Sequence, residues 1–119
     1  MTGKRFLFLL RRTPMGGQQA QEALDAALTA AAFDQSVRLL FLDDGVWQLK
    51  AGQQTAAGRN PAALFRSLAL YDVETPPLVE RESLQERGLR EEDLLIPVAL
   101  VPRGQVPSLL RDCDVLLSL

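Results

Sequence analysis

LLFLDDGVWQL, residues 39–49, decides how the rest of the chain is read. From Val37 to Leu42 the run is apolar except for Arg38. Such a run reads as a strand covered on both faces, as in a parallel sheet. It stops at Asp43-Asp44-Gly45, three residues that favour a turn. Val46, Trp47 and Leu49 then bring apolar bulk straight out of that turn. In an open α/β sheet, sites are built in the loops at the carboxyl ends of the strands. The single tryptophan therefore stands beside the place where function is expected, and either seals the core or meets a partner.

Outward from this stretch the chain alternates in period. Residues 4–10 hold Phe-Leu-Phe-Leu-Leu, another buried strand, and Thr13-Pro14 with Gly16-Gly17 marks the loop after it. That loop carries neither a G-x-G-x-x-G pattern nor a phosphate-binding lysine, so it reads as a connector. Over residues 18–33, Ala20, Ala23, Leu24, Ala27, Leu28 and Ala31 form one apolar stripe of a helix. Strand, helix and strand in this order make a right-handed βαβ unit.

Beyond Leu49, residues 50–59 read as a polar surface loop. Asn60-Pro61 opens a helix, Asn as cap and Pro at the first helical position. Leu64, Leu68 and Tyr71 share one of its faces, with Phe65 beside them, and Asp72 closes it. Leu78-Val79 is at most a short strand. Ser83-Leu84-Gln85-Glu86 fits a capping box, and Gly88 is placed to end that short helix. Glu91-Glu92-Asp93 reads as a solvated acidic turn. Residues 96–101 form a fourth strand bounded by Pro97 and Pro102. Val106, Leu109 and Leu110 give a short helix its stripe, and residues 115–117 form a fifth strand. The reading is one domain over residues 1–119, a three-layer α/β/α fold with a mainly parallel five-stranded sheet.

Composition narrows the chemistry. The chain has 119 residues, 47% apolar and 24% charged, with a net charge of −2. That is enough for a real core, and it lacks the basic field that would hold nucleic acid by itself. No apolar run approaches the roughly 18–20 residues needed to span a bilayer. The start has a basic residue before a short apolar run, as a signal peptide does, but residues 6–10 are too short for its apolar core. A cytoplasmic protein is expected. With no histidine and one cysteine, Cys113, the chain has no disulfide of its own, no Cys-rich metal site and no usual partner for a nucleophile. No catalytic residue, metal ligand or cofactor is assigned. Asp112 and Asp114 flank Cys113 and disfavour a thiolate, so it reads as a small inert side chain. Asp43-Asp44 resembles the phosphoacceptor end of a receiver domain. That chemistry also needs an acidic pair after the first strand, where Arg11-Arg12 stand, and a late lysine, whereas the only lysines are Lys4 and Lys50.

Four strings occur in order along the chain: F-L-D-D-G-V-W-Q-L, L-A-L-Y-D, S-L-Q-E-R-G-L and D-C-D-V-L-L. Together they resemble the TusC/DsrF branch of the DsrE/DsrF-like family, over essentially the full length. The resemblance implies a small α/β/α subunit of a TusBCD-type sulfur relay complex, a dimer of heterotrimers with TusB-like and TusD-like partners. Persulfide sulfur then passes from TusA to the TusD-like subunit and through TusE to the tRNA thiouridylase that 2-thiolates the wobble uridine. It equally implies the alternative of a DsrF-type subunit of a DsrEFH complex in sulfur oxidation.

In the family's sulfur-carrying subunit a cysteine lies just after the third strand, a few residues before an A/S-L-x-x-R-G helix. Counted back from Ser83-Leu84, the matching neighbourhood here is Val79-Glu80-Arg81, with Glu80 at its centre and no cysteine. The resemblance therefore implies a non-catalytic, architectural subunit. The remaining alternative is a sulfurtransferase that uses Cys113. Arg81 reads as a solvated surface residue. Trp47, Tyr71 and Phe65 are the interface candidates, since aromatic side chains are enriched at interface centres. An isolated chain could self-associate through surfaces meant for its partners.

Overall fold

A computed structural model describes residues 3–12, 19–33, 35–50, 73 and 76–118. Five parallel strands form one sheet in the order β4-β3-β2-β1-β5. They are β1 (Arg5–Leu10), β2 (Ser36–Phe41), β3 (Leu78–Glu80), β4 (Ala99–Val101) and β5 (Val115–Ser118). Helix α1 (Gln19–Ala32) joins β1 to β2, α2 (Arg81–Glu86) follows β3, and α3 (Val106–Asp112) joins β4 to β5. The expected five-stranded parallel sheet flanked by helices is the fold observed. Among the described residues no helix is long and apolar enough to cross a membrane.

The period of two along each strand sorts side chains into two cores. Phe8 and Leu10 of β1 join Val37, Leu39 and Phe41 of β2 and Val79 of β3 on the face that α1 covers. Leu7, Leu9, Leu40 and Leu78 point the other way, onto Val106, with Leu109, Leu110 and Cys113 packed alongside. Phe8, Leu39, Leu40, Phe41 and Leu10 are almost completely buried. Each such side chain contributes about 1.5–3 kcal/mol of burial. Of the expected stripe of α1, Ala27 is fully buried and Leu28 and Ala31 pack on the same core, and Ala26 and Ala30 join them there.

Three expectations are corrected. Asp43-Asp44-Gly45 is not a simple turn. It begins a 3-10 helix, Asp43–Leu49, that lies across the carboxyl end of β1. A Cβ added to Gly45 would stand 1.8 Å from the carbonyl oxygen of Leu10. Glycine is thus required there by close approach. The fourth strand begins at Ala99 rather than residue 96. Pro97 has no N–H for the ladder, and the chain before it is held elsewhere: the Leu95 N–H donates to the Leu49 carbonyl at 2.8 Å. Finally, α2 starts at Arg81, with Glu80 at its N-cap, so Ser83 and Glu86 do not form a capping box.

The end of α2 is as expected. The N–H groups of Gly88 and Leu89 donate to the carbonyls of Gln85 and Leu84 at 3.2 and 2.9 Å. With Gly88 at φ 69° this is a Schellman stop, whose left-handed residue favours glycine. Leu84 and Leu89 share the α1-side core. Glu91-Glu92-Asp93 forms one turn of 3-10 helix, closed by the Arg90 N–H donating to the Asp93 carboxylate at 2.8 Å. The loop after Lys50, the helix opened by Asn60, Phe65 and Tyr71 lie outside the described residues.

Candidate functional site

The carboxyl ends of β2, β3 and β4 converge on Glu80. Glu80 is the last residue of β3, an interior strand, so the sheet itself carries its carboxylate into a buried place. Only 4% of the residue is exposed. A buried carboxylate needs partners, and Glu80 has them. Its Oε1 accepts from the Ser83 hydroxyl at 2.5 Å and from the Arg103 Nε and Nη2 at 3.2 and 3.0 Å. Arg103 stands two residues after the end of β4, the strand paired with β3, so neighbouring strand ends deliver the anion and the cation to one point.

Ser83 is fully buried and links this pair to the 3-10 helix. Its oxygen accepts the Asp43 N–H at 2.8 Å, which leaves its own proton for Glu80. Asp43, at φ 51°, holds a left-handed conformation that Asp tolerates better than most residues. Its carboxylate accepts from the Arg11 Nη2 at 3.0 Å, and that of Asp44 accepts from the Arg87 Nε at 3.0 Å. Asp44 therefore pairs with α2 instead of capping its own helical turn. Gln48, also buried, donates from Nε2 to the Arg12 carbonyl at 2.9 Å.

Arg103 also grips α2 from outside. Its Nη1 and Nη2 donate to the two oxygens of Glu86 at 3.0 and 2.9 Å, a bidentate fork. Its backbone N–H donates to Glu82 at 2.9 Å. The hydrogen bonds to Glu86 and then Glu80 hold the guanidinium above its ordinary pKa. In return, the Arg103 side chain holds Glu86 below the usual carboxylate value, and the Arg103 N–H does the same for Glu82.

This arrangement fixes charge in place. Glu80 is committed to Ser83 and Arg103, and Arg103 to two carboxylates, so neither is set up as a nucleophile or as a free cation. Cys113 is remote from it, at the end of α3, with its Sγ–H directed to the Leu110 carbonyl at 3.3 Å and its side chain packed on the opposite core. Arg81 is exposed and lies 3.9 Å from Glu82. Trp47 is half-buried on the 3-10 helix and packs against the α1-side core. The structure thus brings Glu80 and the Trp47 segment to the same rim. Arg103 is the residue that reading the sequence missed. Its signal was present: a basic residue two places after a strand, where a buried acid on the next strand requires one.

The comparisons agree with this architecture. The model of the DsrE/DsrF-like family matches residues 4–119. The chain belongs to that family. Among DsrE/DsrF-like relatives, a Protein TusC homolog of Vibrio vulnificus is 41% identical over 113 residues, 93% of this chain and 95% of its own. A Protein TusC homolog of Pseudomonas aeruginosa is 38% identical over 95% of this chain and 96% of its own. The intracellular sulfur oxidation protein DsrF of Allochromatium vinosum is 46% identical over 77% of this chain and 68% of its own. The ychN protein of E. coli, at 18% identity, shares the fold over the whole of both chains with a TM-score of 0.78.

Proposed function

We propose that this chain is a non-catalytic, structural subunit of a TusBCD-type sulfur relay complex that supports 2-thiolation of the wobble uridine. The observation that carries the proposal is Glu80. Where the family resemblance places a sulfur-carrying cysteine, this chain has a buried carboxylate locked between Ser83 and Arg103. A persulfide carrier needs an accessible low-pKa thiol, and an acid neutralised by its own neighbours offers none. The similarity to TusC homologs over nearly the whole chain supports the same reading.

The subunit then works through its surfaces. TusB-like and TusD-like partners assemble with it in the cytoplasm, and the TusD-like subunit carries the sulfur between TusA and TusE. Trp47 contributes to the contact from the rim beside Glu80, with Phe65 and Tyr71 as further contact residues. A second reading, service in sulfur oxidation, is favoured by the similarity to DsrF of Allochromatium vinosum.

Co-purification of the tagged chain from its native cell, with mass spectrometry of the partners and of persulfide, tests the proposal. Two homologous small subunits in equal amounts, sulfur on a partner's cysteine and an unmodified Cys113 are expected. Sulfur carried on Cys113 would overturn it. Loss of 2-thiouridine from tRNA on deletion of the chain separates the tRNA reading from sulfur oxidation.

A further inference from the structure

The 3-10 helix Asp43–Leu49 carries Trp47 but has no side-chain cap of its own. Leu42 precedes it, and a leucine side chain cannot accept a backbone N–H. The Gly45 N–H is taken by the Leu42 carbonyl at 3.0 Å. The Asp43 N–H has no partner within the helix, as at every helix start. Its acceptor, Ser83 Oγ, comes from α2. At the other end the Leu49 carbonyl accepts the Leu95 N–H, and Lys50 forms an antiparallel bridge with Leu94. These anchors all belong to the one stretch of chain that follows β3. Trp47 stands between them.

Three links hold the start of this helix, and burial ranks them. The Arg11–Asp43 and Arg87–Asp44 ion pairs lie at the surface, where the side chains of Asp43 and Asp44 are 41% and 53% exposed. Surface pairs of this kind contribute little. Ser83 is fully buried, and a donor that loses a buried acceptor finds no water to replace it. The hydroxyl is also held in one orientation. Glu80, itself gripped by Arg103, takes its proton, so a lone pair of Ser83 Oγ is left facing Asp43. A donor chain thus runs from the Asp43 N–H through the Ser83 O–H to the Glu80 carboxylate, and successive bonds strengthen one another.

We infer that Ser83 is a positioning residue for Trp47: its hydroxyl, oriented by Glu80 and Arg103, fixes the start of the 3-10 helix and so holds the indole ready for a partner subunit. The inference rests on the role proposed above for Trp47 as a contact residue. An aromatic side chain held in place before binding loses less freedom on contact. The paired acid and cation at the ends of β3 and β4 then serve the surface of the subunit instead of chemistry of their own.

The single tryptophan makes the full chain report on itself. Acrylamide quenching of Trp47 fluorescence is measured well below the melting temperature, with circular dichroism confirming the fold. Ser83→Ala removes the hydroxyl and leaves the Glu80–Arg103 pair. It is expected to raise the quenching constant about twofold, since a segment that loses its buried link opens locally. Glu80→Gln, whose carboxamide oxygen still accepts the Ser83 proton, is expected to stay near the unaltered chain. Gly88→Ala strains the end of α2 without touching the link, so it controls for lowered stability and is expected to leave quenching as it is. Unchanged quenching in Ser83→Ala, or an equal rise in Gly88→Ala, would overturn the inference. Co-purification from the native cell ties the position of Trp47 to the contact. Ser83→Ala and Trp47→Ala are both expected to retain the partner subunits about tenfold less than the unaltered chain, and full retention by Ser83→Ala overturns the inference. An unaltered chain that brings no partner overturns the proposed function and the contact role together, even where quenching shows Ser83 holding Trp47.

Discussion

The carboxyl end of β3 and the outer edge of β5 answer the same problem in opposite ways. At the first, a buried acid meets its cation and a hydroxyl, and that hydroxyl accepts a backbone N–H, all within the same chain. At the second, an edge strand with two half-exposed leucines has β1 as its one neighbour among the described strands. A region that satisfies itself holds its shape and offers little to a ligand. Among the described residues, the difference places the most densely cross-linked part of the protein at the rim around Glu80 and a sparsely bonded sheet edge at β5.

The largest effect is expected from Gly45→Ala, because the added Cβ meets backbone, the Leu10 carbonyl at 1.8 Å, and backbone cannot step aside. It should lower stability by about 4 kcal/mol or more, read by denaturant unfolding; a near-neutral result would mean that the 3-10 helix does not rest on β1. Next is Glu80→Ala. It strands the buried Ser83 hydroxyl, an expected loss of about 1–3 kcal/mol, and it should speed hydrogen exchange at the Asp43 N–H. Unchanged exchange there would break the link between β3 and the 3-10 helix.

Gly88→Ala separates conformational need from space. A Cβ at Gly88 touches nothing within 4 Å, but its φ is 69°. The expected loss is about 1–2 kcal/mol, well below that of Gly45→Ala in the same assay.

The smallest effect concerns acid. Glu82 and Glu86 titrate below their ordinary value of 4.5 in the folded chain. Their contribution is therefore present above about pH 4.5 and is lost as the pH falls through the lowered values. Thermal melts from pH 6 to pH 3 should show a drop that Arg103→Ala makes shallower, since that variant removes the group holding Glu86 down.

Much of the fold was legible because strand and helix periods are local properties. The apolar runs of β1 and β2 and the alanine stripe of α1 marked a parallel sheet with a helix on one face. Gly88 marked a helix stop. The length of the fourth strand was misread because Pro97 acts through a ladder partner, not through its neighbours in sequence. Ser83-Leu84-Gln85-Glu86 imitated a capping box, yet Ser83 found Glu80 and Asp43, and Glu86 found Arg103. Those bonds compete with the local pattern and win by being buried or bidentate.

By itself, then, the sequence determined the family, the α/β class and the absence of histidine and paired cysteines, since each of these is carried by residue identity and order. Only the tertiary structure decided that Glu80 is paired with Arg103, that Gly45 rests against the end of β1, and that Leu116 and Leu117 stand half-exposed at a sheet edge. Each of those facts depends on which strands are neighbours in space, and strand order follows from packing the whole sheet rather than from any one stretch of chain.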